Sequence, residues 1–234
     1  MPPSIWRAFS NEPGERSAAS RAACAPPLDA APIGIGGLSG HAMAICTADI
    51  PAMTDDQWII RPATMADVAP LRDLIESGYR GAAARGGWTH EADLLDGQRS
   101  DEAMLADAIG APDRLILLAQ ANGGLIGCVE VARVTGGRSY LGLLTVAPAR
   151  QRGGLGKALL SAAEDQAMAH FAAAFIEMTV IRQRAELIAY YARRGYHPTG
   201  ERRPFPYGDT RYGAPRRDDL EFVVLEKQLI RSAA

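Results

Sequence analysis

Residues 149–160 read ARQRGGLGKALL, a basic and glycine-rich stretch that runs directly into a helix-like pattern. The start of a helix attracts anions, because its first N–H groups have no internal partners and the aligned peptide dipoles favour negative charge there. Glycines help further, since the missing side chains let backbone amides approach an anion closely. The stretch therefore predicts either an anion-binding turn or an ordinary basic connection between a strand and a helix.

The spacing of this stretch excludes two common phosphate loops. A Walker A loop needs glycine five positions before the glycine of its Gly-Lys pair and Ser or Thr after the lysine, but Gln151 and Ala158 stand there. A dinucleotide fingerprint needs a third glycine where Leu159 stands. What remains is Gln-x-x-Gly-x-Gly, from Gln151 to Gly156, after the strand-like LLTVAP.

Composition describes an ordinary globular chain. It has 234 residues, 47% hydrophobic and 22% charged, with a formal net charge of -2, so nothing draws it as a whole to nucleic acid or membrane. Its three cysteines form no CxxC pair, and we expect neither a disulfide framework nor a metal site. No apolar run suffices to span a bilayer, and we expect a cytoplasmic protein.

The first 52 residues differ from the rest. They hold seven of the chain's 15 prolines and show no sustained period of 2 or 3.6 residues. We interpret residues 1–52 as a disordered low-complexity tail, and residues 57–230 as the folded domain. Met53 opens MTDDQWIIRPAT, so an alternative is that translation starts there and the upstream part is absent from the native protein.

From Trp58 the pattern alternates between strands and helices. A strand over QWIIRPAT precedes a helix over residues 65–81, with Thr64 as its N-cap, and a second helix spans residues 101–109. RLILLAQ, the turn ANGG and LIGCVEVARVT predict a hairpin, because Asn and Gly supply the positive φ that a tight turn needs. Further segments are the strand RSYLGLLTVAP, a helix to about His170, the strand AFIEMTV, a helix over RAELIAYYARR, and the strands GYHPTGE and LEFVVLEKQL. This order predicts an α+β fold with a mixed, mostly antiparallel central sheet and helices on both faces.

The motif in this setting resembles the pyrophosphate loop of the GCN5-related N-acetyltransferases. Upstream, IIRPATMADVAPLRDLI resembles the family's first strand and helix, and AYYARRGYHPTGE resembles its last helix and the strand after it. The resemblance covers residues 58–229 and implies acetyl-CoA as co-substrate and the amine of a small molecule or peptide as acceptor. The alternatives are a CoA-binding sensor of the same fold without turnover and, less favoured, a nucleotide-binding protein. A homodimer stays open.

The resemblance also assigns the cofactor contacts. In the family, coenzyme A lies between two splayed strands, and its pantetheine arm pairs with one of them as an added strand would. Here that role implies the backbones of Leu144, Thr145 and Val146. The pyrophosphate would be held by the loop residues Gln151, Arg152, Gly153, Gly154, Leu155, Gly156 and Lys157.

The proposed acid is a tyrosine four residues before the glycine that ends the last helix. Tyr191 occupies that place before Gly195 and inherits the role of protonating the departing thiolate. Its neighbour Tyr190 lies about 100° round the helix, so we expect only Tyr191 to face the cleft. Arg184 stands where the family often has asparagine, a departure that puts one cofactor contact in doubt.

The general base is the least determined residue. Glu130, in the strand GCVEVAR, is the first candidate, although an alternating polar residue is equally a solvated position. His90 and Glu91, before the second helix, are others. The segment 203–219, with Phe205 and several arginines, is either a lid over the acceptor pocket, its arginines selecting a carboxylate, or a mobile connection whose arginines pair with nearby aspartates.

Overall fold

The computed structural model describes residues 57–209 and 213–229. The predicted tail and the alternative start at Met53 lie outside the described residues, as do Cys24 and Cys46. Within the described part, no helix is both long enough and apolar enough to cross a bilayer.

The described residues form nine strands and five α-helices. The strands are β1 (Ile59–Pro62), β2 (Leu95–Asp96), β3 (Arg114–Ala121), β4 (Gly124–Val134), β5 (Arg138–Val146), β6 (Phe175–Ile181), β7 (His197–Pro204), β8 (Ala214–Pro215) and β9 (Glu221–Gln228). The helices are α1 (Val68–Tyr79), α2 (Gly81–Arg85), α3 (Glu102–Gly110), α4 (Leu155–Phe171) and α5 (Ala185–Ala192).

Seven strands form the central sheet, in the order β1-β3-β4-β5-β6-β9-β7. All neighbours are antiparallel except β5 and β6, which are parallel. The predicted hairpin is the β3–β4 pair, and its turn has the expected geometry, with φ of 49° at Asn122 and 76° at Gly123. The prediction of a mixed, mostly antiparallel sheet is confirmed.

Two buried clusters cover the two faces of the sheet. On one face α4 packs Leu159, Leu160 and Ala163 against Val129 and Val131. On the other face α1 and α3 pack against alternate residues of the same strands, through Leu71, Ile75 and Leu105. Because neighbouring side chains of a strand point to opposite faces, β4 supplies Val129 to one cluster and Cys128 to the other.

Two features were not predicted. The short helix α2 follows α1 directly, and β2 pairs with β8 in a separate two-stranded sheet. This pair joins segments more than a hundred residues apart and depends on Gly213, where an added Cβ would lie 2.5 Å from the Asp96 carbonyl oxygen. Two-residue strands show no periodicity, so the sequence alone does not reveal them.

Gly78, in the last turn of α1, lets this helix approach β5 closely. A Cβ there would lie 2.5 Å from Cγ2 of the buried Thr145, whose hydroxyl donates to the Leu143 carbonyl at 3.0 Å and cannot turn away freely. We expect Gly78→Ala to lower the free energy of unfolding by about 1–3 kcal/mol through overpacking, despite the better helix propensity of alanine. Unfolding in urea measures this change in the free energy of unfolding. Gly110→Ala is the control, since a Cβ there meets nothing within 4 Å, and equal stability of the two variants would contradict the prediction.

Candidate active site

The parallel pair β5–β6 opens after three residues. Arg138, Ser139 and Tyr140 pair with Phe175, Ile176 and Glu177. Beyond them β5 pairs only with β4, and β6 pairs only with β9. The strands therefore separate within the sheet, and the backbone edge of β5 from Leu141 to Val146 borders a gap.

A bulge in β5 lies at this gap. Cys128 pairs with Thr145 and Glu130 with Gly142, so two steps of β4 oppose three of β5. The extra residue is accommodated around Leu143, which has a φ of 50°, rare for a residue with a branched side chain. Its carbonyl accepts hydrogen bonds from Thr145 Oγ1 at 3.0 Å and Cys128 Sγ at 3.3 Å, which stabilise the bulge.

Two carbonyls of β5 accept side-chain hydrogen bonds next to the bulge. The Tyr79 hydroxyl donates to Leu144 O, and Gln151 Nε2 donates to Val146 O, both at 3.2 Å. Gln151 Oε1 also accepts from the Trp88 amide at 2.8 Å. The Gln151 side chain therefore ties β5 to the segment before β2. Each carbonyl keeps a second lone pair for another donor.

The glycine-rich turn presents free amides at the start of α4. Arg152 and Gly154 have left-handed φ values of 73° and 83°, and Gly154 caps the helix. Among residues 57–209 and 213–229, no backbone or side-chain acceptor binds the amides of residues 152–156. Alternation of left- and right-handed residues makes a concave array of N–H groups that suits an anion. At a helix start, the turn fits a phosphate or pyrophosphate.

One cavity of about 520 Å³ joins the gap to this turn. It is lined by Gly78, Tyr79, Trp88, Thr89, Leu144, Thr145, Val146, Gln151, Arg152, Gly154, Gly156, Lys157, Arg184, Leu187, Tyr190, Tyr191, Arg193 and Arg194. Eight of the ten residues predicted to contact a cofactor are in this lining. The exceptions are Gly153 and Leu155, whose side chain packs in the core.

Both tyrosines of α5 line the cavity, so the expectation that only Tyr191 faces it was wrong. Tyr191 is buried at the base of the helix, and its ring contacts Tyr190 and Tyr196 edge-on. Tyr190 reaches toward the mouth, between Trp88 and the turn, with the Arg194 guanidinium 3.3 Å from its ring centre. The two rings meet edge-on at 81°, and both reach the cavity because its lining follows the chain from Arg184 to Arg194.

The Tyr191 hydroxyl is suited to hold a proton. Burial raises its pKa above the ordinary 10.0, partly offset by the nearby Arg184. The hydroxyl has no hydrogen-bond partner within the described ranges. A neutral phenol that faces a cavity with an unused O–H can donate to a group bound there.

Glu130 lies outside this cavity. It is buried rather than solvated, and Arg114 pairs with it from the neighbouring strand β3. Its position on β4 places it on the face of α1 and α3, on the far side of β5 from the gap. The prediction that Glu130 reaches the cleft as a base therefore has no geometric support.

Glu91 is held between two arginines. Arg80 Nη1 lies 2.7 Å from one carboxylate oxygen and Arg184 Nη1 lies 2.9 Å from the other. Burial raises the Glu91 pKa, but Arg184, Arg99 and Arg80 outweigh it and leave the pKa below its usual value. Such a carboxylate binds protons weakly. Its neighbour His90 lies with Nε2 3.8 Å from Asp93.

The segment 203–219 packs on the protein through its first aromatic residue. Phe205 is buried and stacks on Phe222 of β9 at 5.5 Å, so it does not act as a lid. Arg217 pairs with Asp219 as expected, whereas Arg216 pairs with Asp96 and Arg203 with Glu177. Residues 210–212 of this segment lie outside the described ranges.

The sequence analysis did not identify several residues of the cavity, Tyr79 and Trp88 among them, and it treated Arg184 only as a departure from the family pattern. Arg184 caps α5 and donates to Thr89 Oγ1 at 2.7 Å. Tyr79 ends α1, and its position against β5 follows from the close contact at Gly78. None of the three belongs to a local motif. In the described residues, no cluster of His, Cys, Asp and Glu is arranged to hold a metal ion.

Comparison with known proteins agrees with this geometry. A family model described as Acetyltransferase (GNAT) family matches residues 79–196. The chain is 32% identical over 151 residues to an IAA acetyltransferase of Azospirillum brasilense, an alignment that covers 62% of this chain and 90% of that protein.

Solved structures show the same fold at low identity. The ribosomal-protein-S18-alanine N-acetyltransferase from Escherichia coli matches with a TM-score of 0.55 and 18% identity, over 76% of this chain and 97% of its own. A GNAT family acetyltransferase from Elizabethkingia anophelis with acetyl-CoA bound has a TM-score of 0.55 and 18% identity, over 75% of this chain and 100% of its own. These structures show the fold, and the family model identifies the chain as a member of the GNAT family of acetyltransferases.

Proposed function

We propose that this protein is an N-acetyltransferase that moves the acetyl group of acetyl-CoA directly to a primary amine of a small molecule or peptide. The observation that carries the proposal is the continuous cavity, which joins the free amides of residues 152–156 to the gap between β5 and β6. A long cofactor with a pyrophosphate at one end and a reactive thioester at the other fits such a shape. Acetyl-CoA supplies the activated acyl group.

The cofactor contacts follow from backbone groups that can form further hydrogen bonds. The amides of residues 152–156 would hold the pyrophosphate, and Arg152 and Lys157 add positive charge to the same end of the cavity. The exposed edge of β5 at Leu144 and Val146 would pair with the amides of the pantetheine arm, as in β-strand addition. Gln151 keeps this edge and the segment around Trp88 in place.

The reaction needs a neutral amine and a proton for the leaving thiolate. The amine nitrogen forms a bond to the acetyl carbon, the carbon–sulfur bond breaks, and the amine gives up one proton while the sulfur gains one. Tyr191 is the group we assign to the sulfur, because its hydroxyl is protonated, faces the cavity and has no partner among the described residues. It would stabilise the thiolate as a hydrogen-bond donor.

The amine is kept neutral by its surroundings rather than by an adjacent base. The lining contains no Asp, Glu or His among the described residues, whereas Arg184, Arg193 and Arg194 contribute to it. Nearby cations disfavour an ammonium ion and lower the pKa of the amine, so its proton is released to solvent more readily. This proposal replaces Glu130 as the general base.

Direct transfer is favoured over an acetyl-enzyme intermediate. The cysteine of the described residues, Cys128, is buried, and burial raises the pKa of its thiol to about 12. At neutral pH it is a thiol rather than the thiolate that attacks an acyl group.

Tyr191→Phe tests the acid. Removing the hydroxyl is expected to lower kcat about 100-fold while acetyl-CoA binding is retained, because general-acid assistance has about that magnitude. Release of free thiol from acetyl-CoA, followed with a panel of amines, measures the rate. Tyr190→Phe is the matched control and should keep most of the activity. Equal rates for Tyr191→Phe and the wild type would contradict the assignment, and tight cofactor binding by the wild type without turnover on any amine would favour a CoA-binding sensor.

Gly154→Ala tests the turn. Gly154 has a φ of 83°, which alanine adopts only at a cost, so the substitution should rotate the free amides away from one another. We expect about a tenfold rise in the Kd of acetyl-CoA, roughly the effect of 1–2 kcal/mol of strain. Isothermal calorimetry measures it, with Gly153→Ala as control, since a Cβ at Gly153 meets only an ordinary contact at 3.9 Å. Unchanged affinity in both variants, or tighter binding of ATP than of CoA, would contradict the proposed pyrophosphate site.

A further inference from the structure

Three arginines surround one carboxylate beside the cavity. Arg80 and Arg184 have side chains only 6% and 11% exposed, and each donates to a different oxygen of Glu91. Arg99 approaches from the segment before α3, with its guanidinium carbon 5.2 Å from the centre of the Tyr79 ring. The group, which we call the arginine cluster, consists of Arg80, Arg99, Arg184 and Glu91.

Arg99 is the member whose donors are not used. Its Nη1 is buried and, within the described part of the chain, has no hydrogen-bond acceptor, and the same is true of Arg184 Nε. The other buried carboxylate nearby, Glu130, is already paired with Arg114. The Glu130 carboxylate also acts on Arg99 through its charge. Cations still outnumber carboxylates, because Glu91 and Glu130 face four guanidinium groups, those of Arg80, Arg99, Arg114 and Arg184.

This imbalance has a physical cost. Burying a cation without a matched anion and leaving an N–H without an acceptor are both unfavourable, and native proteins rarely keep such groups without a reason. A guanidinium presents parallel N–H donors whose geometry matches a carboxylate. A bound anion of that kind would restore the balance of the arginine cluster.

The position of the cluster relates it to the acceptor rather than to the cofactor phosphates. Arg184 lines the cavity together with Tyr79, Thr89 and Tyr191, beside the gap between β5 and β6, and Arg99 adjoins this wall through the Tyr79 ring. The anion-binding turn lies at the start of α4 and is separate from them in the sequence and in the fold. The acetyl group is uncharged, so in acetyl transfer a carboxylate near Tyr191 must enter with the amine.

We propose that the acceptor is an amine that also carries a carboxylate, as an amino acid does, and that Arg99 and Arg184 bind this carboxylate. The inference rests on the proposed acetyl transfer and specifies its substrate class. Arg80 and Glu91 act as positioning residues that keep the Arg184 guanidinium at the cavity wall. The arginines responsible are thus not those of the segment 203–219, which pair with Asp96, Glu177 and Asp219.

The test compares acids with neutral analogues of the same shape. The wild-type protein is given acetyl-CoA with each of the common L-amino acids and with the corresponding L-amino-acid amides, and thiol release is followed. For the preferred side chain, kcat/KM should be at least about tenfold higher for the acid, as expected when a buried charged donor loses its partner. Equal use of acid and amide would overturn the inference.

Variants of Arg99 test whether this arginine causes the preference for the acid over the amide. Arg99→Gln should reduce kcat/KM for the acid at least about tenfold and for the amide by less than about threefold, so the preference disappears. Arg99→Lys keeps the charge without the paired donors and should be intermediate. Arg85→Gln, at an exposed arginine of α2, is the matched control and should behave as the wild type. Thermal unfolding and acetyl-CoA affinity should be unchanged in all three, and a wild-type preference in Arg99→Gln would overturn the role of Arg99.

Two further experiments distinguish failure of the proposed carboxylate site from failure of the proposed acetyl transfer. If the carboxylate belonged to the acyl donor, the wild type would use succinyl-CoA with amino-acid amides better than acetyl-CoA with amino acids, which would overturn the assignment to the acceptor. Calorimetry with the same amino acids and amides in the presence of CoA needs no turnover. Arg99-dependent binding of the acids without any transfer would support the carboxylate site while contradicting the proposed acetyltransferase activity.

Discussion

The backbone pairing between β5 and β6 extends over three residues and then ends. The point at which it ends determines where the gap, and therefore the cavity, lies. The bulge at Leu143 turns β5 away from β6, and the contact of Tyr140 Oη with Thr179 Oγ1 at 2.7 Å bridges the strands just where they part. The sheet thereby keeps an unpaired backbone edge in its interior rather than at its margin.

The two ends of the cavity handle negative charge by different means. At the start of α4 the donors are backbone amides, whose partial charges need no counter-ion and cost little when they face solvent. At the arginine cluster the donors are full positive charges in a largely buried place, where Arg80 and Arg184 depend on the Glu91 carboxylate between them. The first arrangement suits a ligand common to many enzymes of one fold. The second suits selection of one ligand over its close analogues, because an unmatched buried charge penalises the wrong partner strongly.

The sequence predicted those helices, strands and turns that are determined by neighbouring residues. The φ values at Asn122 and Gly123 and the boundaries of α3 and α4 follow from turn residues, caps and periodicity, which act over a few positions. The glycine-rich turn before α4 was predictable for the same reason. The contacts of Glu130 with Arg114, of Phe205 with Phe222 and of Arg184 with Glu91 join distant segments, and packing decides them. When polar and apolar residues alternate on a strand, the sequence alone does not show whether a polar residue contacts water or a buried arginine.

The strand order also bears on how the chain is assembled during synthesis. β9 is the last strand to leave the ribosome among those described, yet it lies between β6 and β7 in the interior of the sheet. Until β9 has been synthesised, the outer edge of β6 is unpaired and β7 has no neighbouring strand, so the carboxyl-terminal half of the sheet cannot form. A nascent chain with such an open margin is exposed to unwanted pairing with other chains, and prompt completion of translation limits the time for which that hazard persists.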